Sequence, residues 1–182
     1  MAVAKHGVSS DTPERRVYGP GVVYYGWTSV AAPGTVLGAA MGGCVLEINR
    51  EFEDLRPDGA KGPVKGFRRV KDVNAKLTVM QLEITEAVLL KMLPGASATS
   101  HVITGAEIDD DDYFNLGYVL DHTGFVMTSN PLEFKLSNCI AVGPFKMEAK
   151  NNEPVITEIV FEAHYADSDL ATEPWEITYP ST

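Results

Sequence analysis

Apolar and polar residues alternate with period two over several short stretches of this chain, and that period predicts strands. The clearest stretch is 44–54. Cys44, Leu46, Ile48 and Phe52 fall on one face, and Val45, Glu47, Asn49, Glu51 and Glu53 on the other. Arg50 falls on the apolar face, where a charge requires a partner or an edge position. Residues 73–84 read as a second strand. Leu77, Val79, Met80 and Leu82 make its later part apolar on both sides, so burial on both faces is expected there. Residues 155–165 alternate again, with Thr157, Ile159 and Phe161 opposite Glu158, Val160 and Glu162. Shorter strands are expected at 22–27, 101–104, 117–121, 124–128, 132–138 and 141–149. Residues 121–124 and 150–154 read as hairpin connections.

Helical spacing is convincing at one place, 85–93. Thr85 is suited to cap it, Glu86 to sit at the positive end of its dipole, and Pro94-Gly95 to stop it. So short and apolar a helix is expected to plug one end or side of the strand layers. The Gly-rich run 31–43 reads as a loop, the small-residue run 96–100 as a linker, and residues 1–21 as an extended N-terminal arm. The expected fold is therefore mainly β: a single domain of β-sandwich or barrel type with one short flanking helix.

Between the first two long strands lies a Gly/Pro-rich basic loop, about 55–72, with Arg56-Pro57-Asp58-Gly59-Ala60-Lys61-Gly62-Pro63-Val64-Lys65-Gly66-Phe67-Arg68-Arg69 at its centre. A connection of that length inside a domain is normally functional or disordered. It carries charge and shape but no chemistry, and it reads as an arm that grips another subunit. Arg56, Asp58, Lys61, Lys65, Arg68 and Arg69 are its candidate interface residues.

Charge sharpens this picture. The chain has 182 residues and a formal net charge of −10, which argues against generic nucleic-acid binding through a basic surface. Residues 1–91 hold twelve Lys/Arg and ten Asp/Glu, a net of +2, whereas residues 92–182 hold three and fifteen, a net of −12. Such asymmetry suits a solvated surface, and equally a head-to-tail contact in which one patch meets a complementary one on the next copy. Asp109, Asp110, Asp111 and Asp112 are the densest acidic run. They lack the alternating carboxylates of a Ca²⁺ loop and read as a solvated loop or as a docking point for a neighbour's basic loop.

Candidate chemistry is sparse. There is no GxxxxGK[ST] phosphate loop and no GxSxG elbow, and the four histidines are scattered without metal-ligand spacing. Cys44 and Cys139 sit in apolar stretches and are expected to be buried free thiols. Tyr24, Tyr25 and Trp27 form a small aromatic cluster that a carbohydrate-binding surface would use if it were exposed. No apolar run of about 18 residues is present to span a membrane, and the first residues lack a signal-peptide core, so synthesis inside the cell is expected.

The run from Gly42 through Gly66 resembles the tail tube (major tail) proteins of long-tailed bacteriophages. Its continuation Arg68-Arg69-Val70-Lys71-Asp72-Val73-Asn74-Ala75-Lys76-Leu77-Thr78-Val79 fits the same pattern. So do the helix ending Leu89-Leu90-Lys91-Met92-Leu93-Pro94-Gly95 and a closing hairpin of 145–149 with 155–165. The resemblance covers roughly residues 40–165 and carries no catalytic signature. It implies a structural protein without cofactor or metal. Subunits would close into hexameric rings by strand pairing, and rings would stack into a hollow tube that conducts DNA without binding it. The loop and arm would bridge copies. Implied partners are the chain itself, the tape measure, the terminator and the distal tail or baseplate; the implied location is the virion tail, assembled in the host bacterial cytoplasm. Glu47, Asn49, Glu51, Glu158 and Glu162 are the candidate lumen-facing residues, because an acidic wall keeps DNA from sticking. Alternatives are a terminator, a baseplate ring or a contractile-system tube of the same fold, and a carbohydrate- or receptor-binding β-sandwich.

Overall fold

The two longest alternating segments pair with each other and organise the rest. In the computed structural model, which describes residues 21–120 and 131–179, β1 (Val22–Tyr25), β2 (Thr35–Val36), β3 (Ala40–Asp54) and β4 (Arg68–Gln81) come first. They are followed by helix α1 (Glu86–Met92), a small hairpin of β5 (Ala96–Thr99) and β6 (Val102–Gly105), and a 3-10 turn at Asp110–Asp112. The chain closes with β7 (Phe114–Leu120), β8 (Leu132–Ala141), β9 (Thr157–Glu162) and β10 (Trp175–Thr178). Eight strands form one sheet in the order β2-β1-β7-β8-β9-β4-β3, with β10 on β8. All the pairings are antiparallel. The expectation of a mainly β fold with one short helix is met.

The sheet is rolled. β2 and β3 are its two ends, six strand positions apart; in a flat sheet that is roughly 29 Å at about 4.8 Å per strand. Only residues 37–39 join them, a span of at most about 15 Å at 3.8 Å per residue. The seam is tied by hydrogen bonds. Gln81 Nε2 donates to the Leu37 carbonyl at 3.2 Å, and the Leu82 and Glu83 amides donate to the Ala39 carbonyl at 2.9 and 3.1 Å. Rolling lets Ala75, Leu77 and Val79 of β4 share one core with Ile159 and Phe161 of β9, Val23 of β1, Leu116 and Tyr118 of β7 and Leu136 of β8. Phe114 meets Phe161 edge-on at 5.7 Å inside it.

Strand β8 divides its free edge between two partners. β10 pairs with Glu133 to Leu136, and β9 with Ile140 and Ala141. The handover falls at Asn138, whose φ of 49° is left-handed. Its side chain donates to the His164 carbonyl at 3.2 Å and its amide to Asn115 Oδ1 at 3.1 Å, which offsets the strain of that conformation. Helix α1 follows expectation closely. Thr85 Oγ1 accepts from the Val88 amide at 3.2 Å, and Val88 and Met92 are buried against the core.

Several boundaries differ from expectation. The loop is 55–67, not 55–72, because β4 begins at Arg68 and pairs with Asp54. β4 ends at Gln81 because the next two amides turn to Ala39. Residues 141–149 do not form a strand. One further ladder bond joins the Val142 amide to Val160 at 2.7 Å, and then Gly143-Pro144 interrupts, proline having no N–H to donate. The closing hairpin is thereby reduced to β9 alone, preceded by a coil over 142–156. Residues 96–100 are not a linker: Ala96–Thr99 pairs with β6 around Ser100 and His101, both at positive φ. The expected loop 31–43 contains β2 and the start of β3. All of the N-terminal arm but Gly21, the turn at 121–124 and the strand at 124–128 lie outside the described residues.

Candidate functional site

Beyond Arg50 and Asp72 the β3–β4 hairpin leaves the core and becomes a two-stranded ribbon. No side chain from Arg50 to Asp54 or from Arg68 to Asp72 is buried. A register shift between Glu51 and Phe52 marks the change, as bulges do where a strand bends away from its sheet. Charged pairs hold the ribbon. Arg68 grips Asp54 with two bonds of 2.7 and 3.0 Å, Arg69 pairs with Glu53 at 2.5 Å, and Lys71 with Glu51 at 2.9 Å. The guanidinium groups of Arg50 and Arg68 flank the Phe52 ring at 5.9 and 5.7 Å. Phe52 was expected to face the core; it is 50% exposed, because the ribbon has no second layer beneath it. Arg50 meets both sequence requirements, lying on an edge strand and pairing with Glu173 at 2.5 Å.

The 55–67 loop caps the ribbon and is built of turns. The Leu55 amide donates to Phe67, Ala60 to Pro57 and Phe67 to Val64, at 3.0, 3.1 and 3.1 Å. Gly59 and Gly66 supply the positive φ values, 85° and 87°, that these turns need. Arg56, Asp58, Lys61 and Lys65 have no ion pair among the described residues. Arg68 and Arg69, expected on the loop with them, stand instead on β4 and are neutralised within the chain. Leu55, Val64 and Phe67 remain exposed.

The five candidate wall residues share one surface. Register places Glu47 beside Lys76 and Lys76 beside Glu162, Asn49 beside Asn74, and Glu158 beside Met80. Leu77, Val79, Ile159 and Phe161 point to the core. Glu47, Asn49, Glu51, Glu158 and Glu162 therefore lie on the outward face of β3–β4–β9. Lys76 lies there too, 3.7 Å from Glu162, whose other oxygen accepts from Asn74. Asn49 donates to Glu47 at 2.7 Å. β3 ends the strand order, so its outer edge is unpaired among the described residues.

The acidic run makes a local structure of its own. Asp109 accepts from the Asp111 amide and donates its own amide to Asp112, both at 2.9 Å. These capping bonds hold a 3-10 turn in which Asp109, Asp110 and Asp111 are exposed and Asp112 is half-buried. No ion pair joins them to the loop cations among the described residues.

A groove that sequence reasoning missed opens at the far end of β4. It encloses about 640 Å³ between the outward face at Met80, Glu158 and Val160, the end of α1 at Met92, and the coil at Phe145 and Met147. No local pattern announced it, because a coil folding over a strand face produces no periodicity.

Burial pushes the Cys139 thiol up to about 12 and raises that of Cys44 as well, so both are protonated at neutral pH. Among the described residues no three His, Cys, Asp or Glu side chains are grouped to hold a metal ion. No helix among them is long and apolar enough to cross a membrane. His101 bonds Glu86 at 2.6 Å, and His164 lies on the backbone oxygens of Glu162 and Asn138. The aromatic cluster is not an exposed row: Trp27 is 2% exposed and packs over Gly117, and Tyr25 sits edge-on to Phe114. No protein-family model matches the chain, and no curated protein matches it.

Proposed function

We propose that this protein is the structural subunit of a bacteriophage tail tube. Its rolled sheet is the sandwich or barrel of that type. Copies close into hexameric rings, rings stack into a hollow tube, and genomic DNA passes through the lumen without specific binding. In the virion tail its partners are other copies, the tape measure, the terminator and the distal tail or baseplate.

One observation carries this reading. The polar residues Glu47, Asn49, Glu51, Glu158 and Glu162 lie on one outward face of three strands, the last of which, β3, has a long outer edge that is unpaired among the described residues. An unpaired edge of fifteen residues is an aggregation hazard for a monomer and an asset for a ring, where the next copy pairs with it. Repeating that face around a ring lines it with carboxylates, and like charge keeps DNA mobile. The ribbon and its loop extend beyond the body with apolar and basic residues exposed, as an arm between copies requires.

The test is negative-stain electron microscopy of the concentrated protein at moderate salt. Long hollow striated tubes are the expected result. Isolated rings that never stack move the assignment to a terminator or baseplate ring, and monomers that bind glycans move it to a binding module. Deleting residues 58–65 is expected to leave a folded monomer that makes no tubes; normal tubes from that variant would remove the loop from the assembly.

A further inference from the structure

The loop and the groove occupy opposite ends of one strand. Met80 lies twelve residues along β4 from Arg68, which is roughly 40 Å at about 3.4 Å per residue. The loop of one chain therefore cannot reach its own groove. The two surfaces match in chemistry. The turn closed by the Val64–Phe67 hydrogen bond presents two exposed apolar side chains with Lys65 between them. The groove offers Met80, Phe145 and Met147, and its charged residues are Lys146, Glu148 and Glu158; Glu148 is paired with Lys150, and Glu158 has no ion pair among the described residues. Its volume, about 640 Å³, is that of a ligand-sized cleft, and methionine-lined surfaces adapt to the shape they receive.

We propose that the groove over Met80 is the acceptor for the 55–67 loop of a second copy of this chain. Val64 and Phe67 enter it, and Lys65 meets Glu158. Because donor and acceptor are different surfaces at opposite ends of the molecule, the contact is heterologous and propagates. The inference rests on the tube reading and deepens it, moving Glu158 from the wall of the lumen to the joint between copies.

The test is disulfide trapping in the full-length chain. Val64→Cys and Met147→Cys are made in separate samples, mixed, oxidised mildly and run without reductant. Both sites are exposed, and the native Cys139 is buried. A crosslinked dimer is expected only in the mixture, at least tenfold above a control pairing Val64→Cys with Leu170→Cys, and the double variant is expected to give a ladder. Glu158→Lys is expected to lower the yield about tenfold, and Lys65→Glu in the partner to restore it. A yield no greater than the control overturns the proposal, as does a groove cysteine that links instead to Val8→Cys in the N-terminal segment. Microscopy of the same samples separates the two readings. Tubes without the crosslink defeat the groove and leave the tube function standing; the crosslink without tubes does the reverse; loss of both defeats both.

Discussion

One hairpin passes through two environments. Within the body every second residue of β4 from Val73 to Gln81 is buried, and Cys44, Leu46 and Ile48 of β3 are half-buried against the same core. Past Asp72 and Arg50 no residue of the same two strands is buried, and only Glu53 and Asp54 are half-buried. The body is held by the hydrophobic effect, which needs no partner. The ribbon is held by its backbone ladder and by exposed ion pairs, which water weakens, and it and its loop leave Phe52, Leu55, Phe67 and Val70 exposed. Stability and assembly are thus assigned to different stretches of one strand pair, and mutations should separate them.

The largest separation is expected between two phenylalanines. Phe161 is fully buried, and Phe161→Ala should cost about 3–5 kcal/mol in urea unfolding, through lost transfer energy and the cavity left behind. Phe52→Ala, on the ribbon, should cost less than about 1 kcal/mol yet impair tube formation. Equal losses of stability would mean that the ribbon is part of the folding unit.

Glycines sharpen the same contrast at smaller scale. A Cβ on Gly117 would lie 2.1 Å from the Trp27 ring, so Gly117→Ala should cost about 1–3 kcal/mol by overpacking. Gly59, in the loop, has nothing within 4 Å of a Cβ but a φ of 85°. Gly59→Ala should cost about 1–2 kcal/mol through backbone strain alone. Adding Trp27→Leu should relieve the first cost and leave the second untouched, as read by thermal unfolding of the single and paired variants.

What the sequence made legible follows the same division. Where periodicity reflects burial it read true: the alternation of 44–48, the Thr85 cap, and Arg50's need for a partner or an edge. It overran where burial stops, since Phe52 keeps the strand period but has no layer to face. It also overran at Ala141, where apolar residues continue past Gly143-Pro144 but the ladder does not. The loop's far boundary was misplaced because Arg68 and Arg69 are polar for a strand; their partners Asp54 and Glu53 sit across a register that only the fold defines. Strand β10 and the groove were not legible, since both depend on which distant segment happens to pack alongside.

The smallest predicted effect is electrostatic, and its sign differs between the two regions. In the ribbon, the hydrogen bond from Arg68, aided by its charge and that of Arg56, holds the Asp54 carboxyl below the ordinary range. A depressed carboxyl contributes stability above its unfolded value, about 3.9, and loses it as pH falls through the folded value. In the body, burial and then the neighbouring Glu176 raise the Glu133 carboxyl. That group binds its proton more readily in the folded state, so acidification through its folded value relieves the sheet. Lowering the pH should therefore favour the body around Glu133 first and open the ribbon later, below about pH 4. Carboxyl-resolved NMR titration should place the Glu133 midpoint above the ordinary glutamate value and the Asp54 midpoint below the ordinary aspartate value. Protection of the Leu55 amide against hydrogen exchange should fall with Asp54 and not with Glu133. An Asp54 that titrates normally would mean that the ribbon's ion pairs do not hold in the free subunit and that its order comes from the neighbouring copy.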